Sequence, residues 1–489
     1  MSVKRIAAVV LLIVGLLATV VVIRAARVRS HQIVVQTAGD TFAPAPGALQ
    51  RLAGAIRFPT VTPDDPSQRN PELFAALHAY LTKAFPETHK TLERETVGLD
   101  ALLYTWRGTD PALKPVVLMG HLDVVPVDPA TEKTWRHPPF AGDVADGFLW
   151  GRGTLDDKAT VLAILEATEL LVGRGVHPRR TILFAFGADE EGGGRQGAAV
   201  IAETIRSRYG TVDFVVDEGG AIIPPGIVPG TSVPVAVVGI AEKGFASVEL
   251  TANSEGGHSS TPPRLTTVGE VARAVARLED RPMPASLRGA SAQLFDYLTA
   301  EMPFRLRLLF ANRWLFAPLI TRVLSRSPST DAAIRTTTAA TMFQGSPKDN
   351  VLADHARAVV NFRILPGDSV DEVLDHVRRT IDDPAVHVRT VGVVTPPSDV
   401  SSTEAPNWRL VEQTMRQTFP DVLVAPYLVL AATDARYFGG LTTDVYRLMP
   451  VRLPPEGVRL FHGANERIPT AAYLDAIRFY ATLIENASH

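Results

Sequence analysis

Apolar, strand-like runs in this chain lead repeatedly to residues able to hold a metal ion: His121, Asp156, Glu191, Asp217 and His462. Strands that end in ligands are how an open α/β sheet builds a site at its carboxyl edge. Two imidazoles with three carboxylates suit a pair of zinc-like ions better than a single ion. The pattern therefore points to an α/β fold and to two-metal hydrolytic chemistry.

The chain has 489 residues, more than one typical domain. Nearly half of them are apolar, so a large core is within reach. Net charge is −3, with acids and bases interspersed. That is unlike the basic stripe of a nucleic-acid binder, so no nucleic-acid partner is expected. There is no cysteine, which excludes disulfides, thiolate ligands and a cysteine nucleophile.

Ile6 to Ile23 is an uncharged, mostly aliphatic run. As a helix it would span about 27 Å. Lys4 and Arg5 precede it; Arg24, Arg27 and Arg29 follow. Arg24-Ala25-Ala26-Arg27 is a poor signal-peptidase site. The run reads as a single-pass membrane anchor over 6–23, with a cleaved signal peptide and a buried helix as the alternatives. Bases on both sides leave its orientation undecided.

Residues 28–46 read as a tether ending in the proline-rich Phe42-Ala43-Pro44-Ala45-Pro46. Over 47–240, Val116–Met119, Thr181–Phe186 and Asp213–Val216 read as buried strands and Ala159–Val172 as a helix. Such alternation implies a mixed, mostly parallel sheet with helices on both faces. Over 241–396 the pattern changes. Gly244–Ala252 and Ala356–Ile364 alternate at period two, and Arg335–Gln344 and Val386–Val394 are further strands. Helical patterns fall at 266–279 and 369–382, the second opening with the capping box Ser369-x-x-Glu372. The order βαββαβ is that of a ferredoxin-like unit, inserted before the α/β pattern resumes over 397–489. Phe304–Leu324, FRLRLLFANRWLFAPLITRVL, reads as a helical pair packed on the small unit; the alternative is a surface for a membrane or a lipid-like substrate.

Five motifs carry the chemistry. In Gly120-His121-Leu122-Asp123, Asp123 can accept the second N–H of His121 and fix its tautomer. Gly151-Arg152-Gly153-Thr154-Leu155-Asp156-Asp157-Lys158 lies at a strand-to-helix turn; helix capping accounts for one aspartate and leaves Asp156 free to bridge two cations. Asp189-Glu190-Glu191 places three acids side by side, which repel unless a cation neutralises them. One glutamate can ligate while its neighbour acts as general base. Asp217-Glu218 ends another strand, and spacing alone does not choose between the two acids. Phe461-His462-Gly463 supplies the last imidazole.

GHLDVVP, GRGTLDDK, DEEGG, VVDEGG and HGANERI together resemble the zinc aminoacylase/carboxypeptidase family, which includes glutamate carboxypeptidase, succinyl-diaminopimelate desuccinylase and acetylornithine deacetylase. NSEGGHSSTPP, NRWLFAPLI, IRTTTAATMF and NFRILPGD look like its Gly-Xaa carboxypeptidase (carboxypeptidase S) branch, with relatives that make and cleave N-fatty-acyl amino acids. The resemblance implies a di-zinc exopeptidase-like fold in which the 241–396 unit is a lid that can pair two subunits. It implies two zinc ions, replaceable by cobalt or manganese. His121 and Asp217 would hold one, Glu191 and His462 the other, with Asp156 bridging, Glu190 as base and Asp123 as orienter. His258 would stabilise the oxyanion, often from a partner subunit. Asn350, Arg363 and Arg436 would hold the substrate carboxylate or its surroundings. The implied substrate is an N-acyl amino acid or short peptide with a free carboxylate, and the implied location of the catalytic part is outside the cytoplasm. Ala431-Ala432-Thr433-Asp434 and the Ala464 after Gly463 depart from the common family pattern in ways that bear on the pocket lining.

Overall fold

The computed structural model describes residues 3–37 and 41–488; positions 38–40 of the expected tether lie outside the described residues. Helix α1 (Val3–Arg27) contains the aliphatic run. Among the described residues it is the one helix long and apolar enough to cross a membrane.

The main sheet begins with the antiparallel hairpin Glu93–Val97 (β1) and Ala101–Trp106 (β2). Val116–His121 (β3), Ile182–Gly187 (β4), Val215–Asp217 (β5) and Val235–Glu242 (β6) follow. The chain then leaves for a second sheet of Gly244–Asn253 (β7), Thr337–Gln344 (β8), His355–Ile364 (β9) and His387–Thr395 (β10). It returns with Leu423–Val429 (β11) and Val445–Arg447 (β12), giving the main-sheet order β1-β2-β4-β3-β5-β12-β6-β11. The central pairs β4–β3, β3–β5 and β5–β12 are parallel. The edge hairpin and β2–β4 are antiparallel, so the sheet is mixed.

Alternate residues of each strand enter two different cores. Val116, Leu118, Phe184 and Phe186 pack with Lys158–Gly173 (α2) and the C-terminal helix Thr470–Ala487. Val117, Met119, Leu183 and Ala185 pack with the helix Ala198–Tyr209. Period-two alternation between two covered faces explains why these strands read as unbroken apolar runs.

The second sheet has order β8-β9-β7-β10, wholly antiparallel. Its core is separate and includes Val271, Ala274 and Leu278 of Thr267–Asp280 (α3). The expected helical pair appears as Phe304–Phe310 (α4) and Arg313–Leu324 (α5). Its packing differs from expectation: Phe310, Ile320 and Leu324 join the core of the main sheet rather than that of the small one. The capping box at Ser369 and Glu372 opens Val370–Ile381 (α6), which packs on the small sheet.

Candidate active site

His121 is the last residue of β3, Asp189–Glu191 follow β4, and Glu218 follows β5, so three parallel strands deliver acids and an imidazole to one carboxyl edge. Asp156 sits in the turn before α2. His462 comes from a distant loop and holds a left-handed φ of 58°.

Asp156 stands between the two imidazoles. Its Oδ1 lies 2.9 Å from His121 Nε2 and its Oδ2 lies 3.0 Å from His462 Nε2. Each imidazole has a further carboxylate: Glu218 Oε1 at 3.6 Å from His121, and Glu191 Oε2 at 3.3 Å from His462. Glu190 joins His121 and Glu191 in a third close group.

Asp123 organises this edge. The Nδ1 of His121 is 3.0 Å from the Asp123 carbonyl oxygen and 3.3 Å from its carboxylate. The carboxylate accepts the backbone N–H groups of Glu190 and Glu191, each at 3.2 Å, and the Thr62 hydroxyl at 2.7 Å. One side chain therefore orients both the histidine and the glutamate turn.

Asp217 and Glu218 are placed differently. Asp217 Oδ2 accepts the Ala435 N–H at 2.7 Å, and Asp217 belongs to none of the close donor groups. Glu218, its neighbour, occupies the place beside His121.

The electrostatics describe a site short of positive charge. Burial, reinforced by neighbouring acids, pushes Glu190 and Glu218 well above the usual carboxylate range. Burial likewise raises Glu191. Asp156 is held below that range, against its burial, by hydrogen bonds from His121 and His462. Hydrogen bonds to Asp156 and Glu191 raise His462 to about 10. Glu191 Oε1 is buried with no partner among the described residues. Closely packed imidazole and carboxylate donors with an orphaned oxygen fit divalent cations: His121, Asp156 and Glu218 on one side, and Asp156, Glu191 and His462 on the other.

The remaining sequence-predicted residues divide into two groups. Arg436 lies near the site, and Arg363 lies near Arg436. Arg436 feels Asp434 and Glu190, and Arg363 is lowered by burial and by Arg436. Arg363 lies over the Phe245 ring at 4.9 Å. Neither guanidinium makes an ion pair among the described residues. His258 and Asn350 stand apart on the small unit. His258 is exposed and its Nδ1 lies 2.8 Å from the Ser260 hydroxyl, while the Asn350 carbonyl accepts the Ser259 N–H.

Sequence reasoning missed Arg152 and Glu466. Glu466 Oε1 accepts the N–H groups of Gly153, Leu155 and Asp156, at 3.0, 2.8 and 3.2 Å. Arg152 donates to Glu466 Oε2 at 2.5 Å and to the His462 carbonyl at 3.0 Å. This buried pair locks the Asp156 turn to the His462 loop. The only signal was that an arginine and a glutamate lie inside two of the five motifs. Glu466→Gln leaves Arg152 buried without its anion, so a loss of about 3–5 kcal/mol is expected. Chemical denaturation checks it, and an unchanged midpoint would refute the locking role.

Residues 117–486 match the family described as peptidase family M20/M25/M40. The chain is 42% identical over 441 residues to a probable carboxypeptidase S-like protein of Dictyostelium discoideum, covering 89% of this chain and 84% of the relative. It is 41% identical over 443 residues to an N-fatty-acyl-amino acid synthase/hydrolase of Homo sapiens, covering 90% and 87%. In three dimensions it is similar to an M20 family metallo-carboxypeptidase of Sulfolobus solfataricus, with TM-score 0.66 at 17% identity, over 91% of this chain and 100% of that one.

Proposed function

The chain belongs to peptidase family M20/M25/M40, and from that premise we propose that it is a membrane-anchored hydrolase that holds two zinc ions and cleaves the amide bond of N-acyl amino acids or short peptides bearing a free carboxylate. One observation carries the two-ion reading: the two oxygens of Asp156 are shared between two imidazoles, each of which has its own second carboxylate. Glu218 takes the place first given to Asp217 in the ligand set.

Bound ions would supply Lewis acidity and a more acidic water. Glu190 accepts the proton of the attacking water and returns it to the leaving amine. Arg363 and Arg436, buried in part and without ion pairs, suit a substrate carboxylate. His258, on the small unit, reaches the acyl oxygen, and Asn350 the substrate carboxylate or its surroundings, only if that unit closes as a lid or a second subunit supplies them. The helix α1 serves as the anchor.

The acyl group is argued from two facts. The human relative is named for N-fatty-acyl amino acids, and α5 exposes Trp314, Leu319 and Val323. A fatty-acyl substrate is therefore favoured over Gly-Xaa peptides. The test follows amino-acid release by mass spectrometry from N-oleoyl amino acids, N-acetyl amino acids and Gly-Xaa dipeptides, with zinc-loaded and chelated protein side by side. The expected outcome is zinc-dependent release, fastest from the oleoyl substrates. Release that survives chelation, or none from any class by protein carrying two zinc ions, would sink the reading.

A further inference from the structure

The outward face of α5 is apolar where a surface helix in water is polar. Ile320 and Leu324 pack into the main core, while Leu315, Leu319 and Val323, at four-residue spacing, stay exposed, as does Trp314. Trp314 is 56% exposed, Leu319 48% and Val323 50%. Phe304 of α4 is exposed as well. The cations of this surface, Arg305, Arg322 and Arg326, are interleaved with the apolar residues. An apolar face edged by arginine and tryptophan is the composition of a helix lying in a membrane interface.

The neighbour of this face identifies what covers it. The C-terminal part of α1 packs against α4. Val21 and Ala25 are the buried residues of α1, and the buried Asn312, between α4 and α5, donates to the Val21 carbonyl at 3.0 Å. Along the rest of α1, Leu11, Leu12, Ile13 and Leu16 are exposed. Arg24 and Arg29 line a cavity of about 1010 Å³ together with Trp314, which places bases at the level where the apolar shaft ends.

We propose that α4 and α5 form an interfacial platform. Leu315, Leu319, Val323 and Trp314 sink into the headgroup–acyl boundary of the bilayer that α1 spans, and the arginines extend to anionic headgroups. The proposal rests on the reading of α1 as an anchor. Its consequence is orientation: the catalytic body lies against the membrane through two attachments instead of swinging on one tether.

The absence of cysteine makes the test direct, because a single introduced cysteine carries the only label. The full chain is reconstituted in phosphatidylcholine–phosphatidylglycerol vesicles with a spin label at Leu319→Cys, at Leu11→Cys in α1, or at Ser207→Cys on the helix Ala198–Tyr209. Collision rates with oxygen and with a nickel chelate report depth. Leu319→Cys is expected about 5–10 Å inside the headgroup boundary, Leu11→Cys deeper, and Ser207→Cys in water. Leu315→Cys repeats the reading one turn away should Leu319→Cys not fold. A label at 319 as aqueous as that at 207, with 11 in lipid, would overturn the platform and leave the anchor standing. Labels at 319 that broaden one another, and sharpen on dilution with unlabelled chain, would assign the face to a second copy and overturn it too. If 11 is also aqueous, the anchor reading fails and the platform falls with it.

Discussion

Glu190→Gln is expected to lower turnover by about 10²–10⁴-fold while the purified protein keeps the metal content of the parent. The substitution retains the volume and one acceptor oxygen and removes only the ability to take a proton. Glu190 stands in a close group with His121 and Glu191, and no hydrogen bond joins its carboxylate to another of the described residues. Its backbone N–H, not its side chain, is what Asp123 holds. The amide therefore disturbs little of the scaffold. Burial, with Asp434, Glu191 and Asp156 adding to it, raises the Glu190 carboxyl well above its ordinary value. Metal analysis of the variant beside kinetics on an N-acyl amino acid separates the outcomes. Turnover within tenfold of the parent would place the base elsewhere. Lost metal would make Glu190 a ligand.

Much of this architecture was legible in the sequence because burial on two faces leaves a strong mark. The apolar runs of β3 and β4 were plain, and the structure carries the strands one or two residues beyond them to His121 and Gly187. The small sheet was legible for the opposite reason: β7 and β9 alternate because one face packs on α3 and α6. The hairpin β1–β2 was not legible. Ala101–Trp106 is fully buried, yet its partner Glu93–Val97 is mostly charged and exposed, as an edge strand is. The packing of α4 and α5 was also beyond the sequence. An apolar helix records that something covers it, not which core does so, and Phe310, Ile320 and Leu324 lie on the main core.

Four of the donors read from the sequence lie close together in the structure. His121, Asp156, Glu191 and His462 are brought together from strand ends and loops as far apart as 121 and 462. Glu466 was not foreseeable, because its carboxylate serves backbone N–H groups more than 300 positions earlier. Between Asp217 and Glu218 the spacing alone made no choice; in the structure Asp217 accepts the Ala435 N–H while Glu218 lies beside His121.

That distinction carries the second large effect. Glu218→Gln is expected to lower affinity for one of two ions by well over the ~10–100-fold typical of groups that only orient ligands, and activity should fall with occupancy. The Glu218 Oε1 lies 3.6 Å from His121 Nε2. Burial, with Asp156 and Asp157 adding to it, pushes its carboxyl well above the usual range. Both facts describe a carboxyl that lacks a compensating cation where it stands beside His121. Asp217→Asn should behave differently. Its Oδ1 can still accept the Ala435 N–H, so both ions should stay, with loss confined to the loop that carries Arg436. The expected kinetic sign is a raised KM for the substrate carboxylate with kcat nearly retained. Zinc titration by calorimetry on the two variants decides between them. Should Asp217→Asn shed an ion and Glu218→Gln keep both, Asp217 would be restored as the ligand. Reorientation of β5's last residue on metal binding would then be required, because its present partner is a backbone amide rather than a cluster of donors.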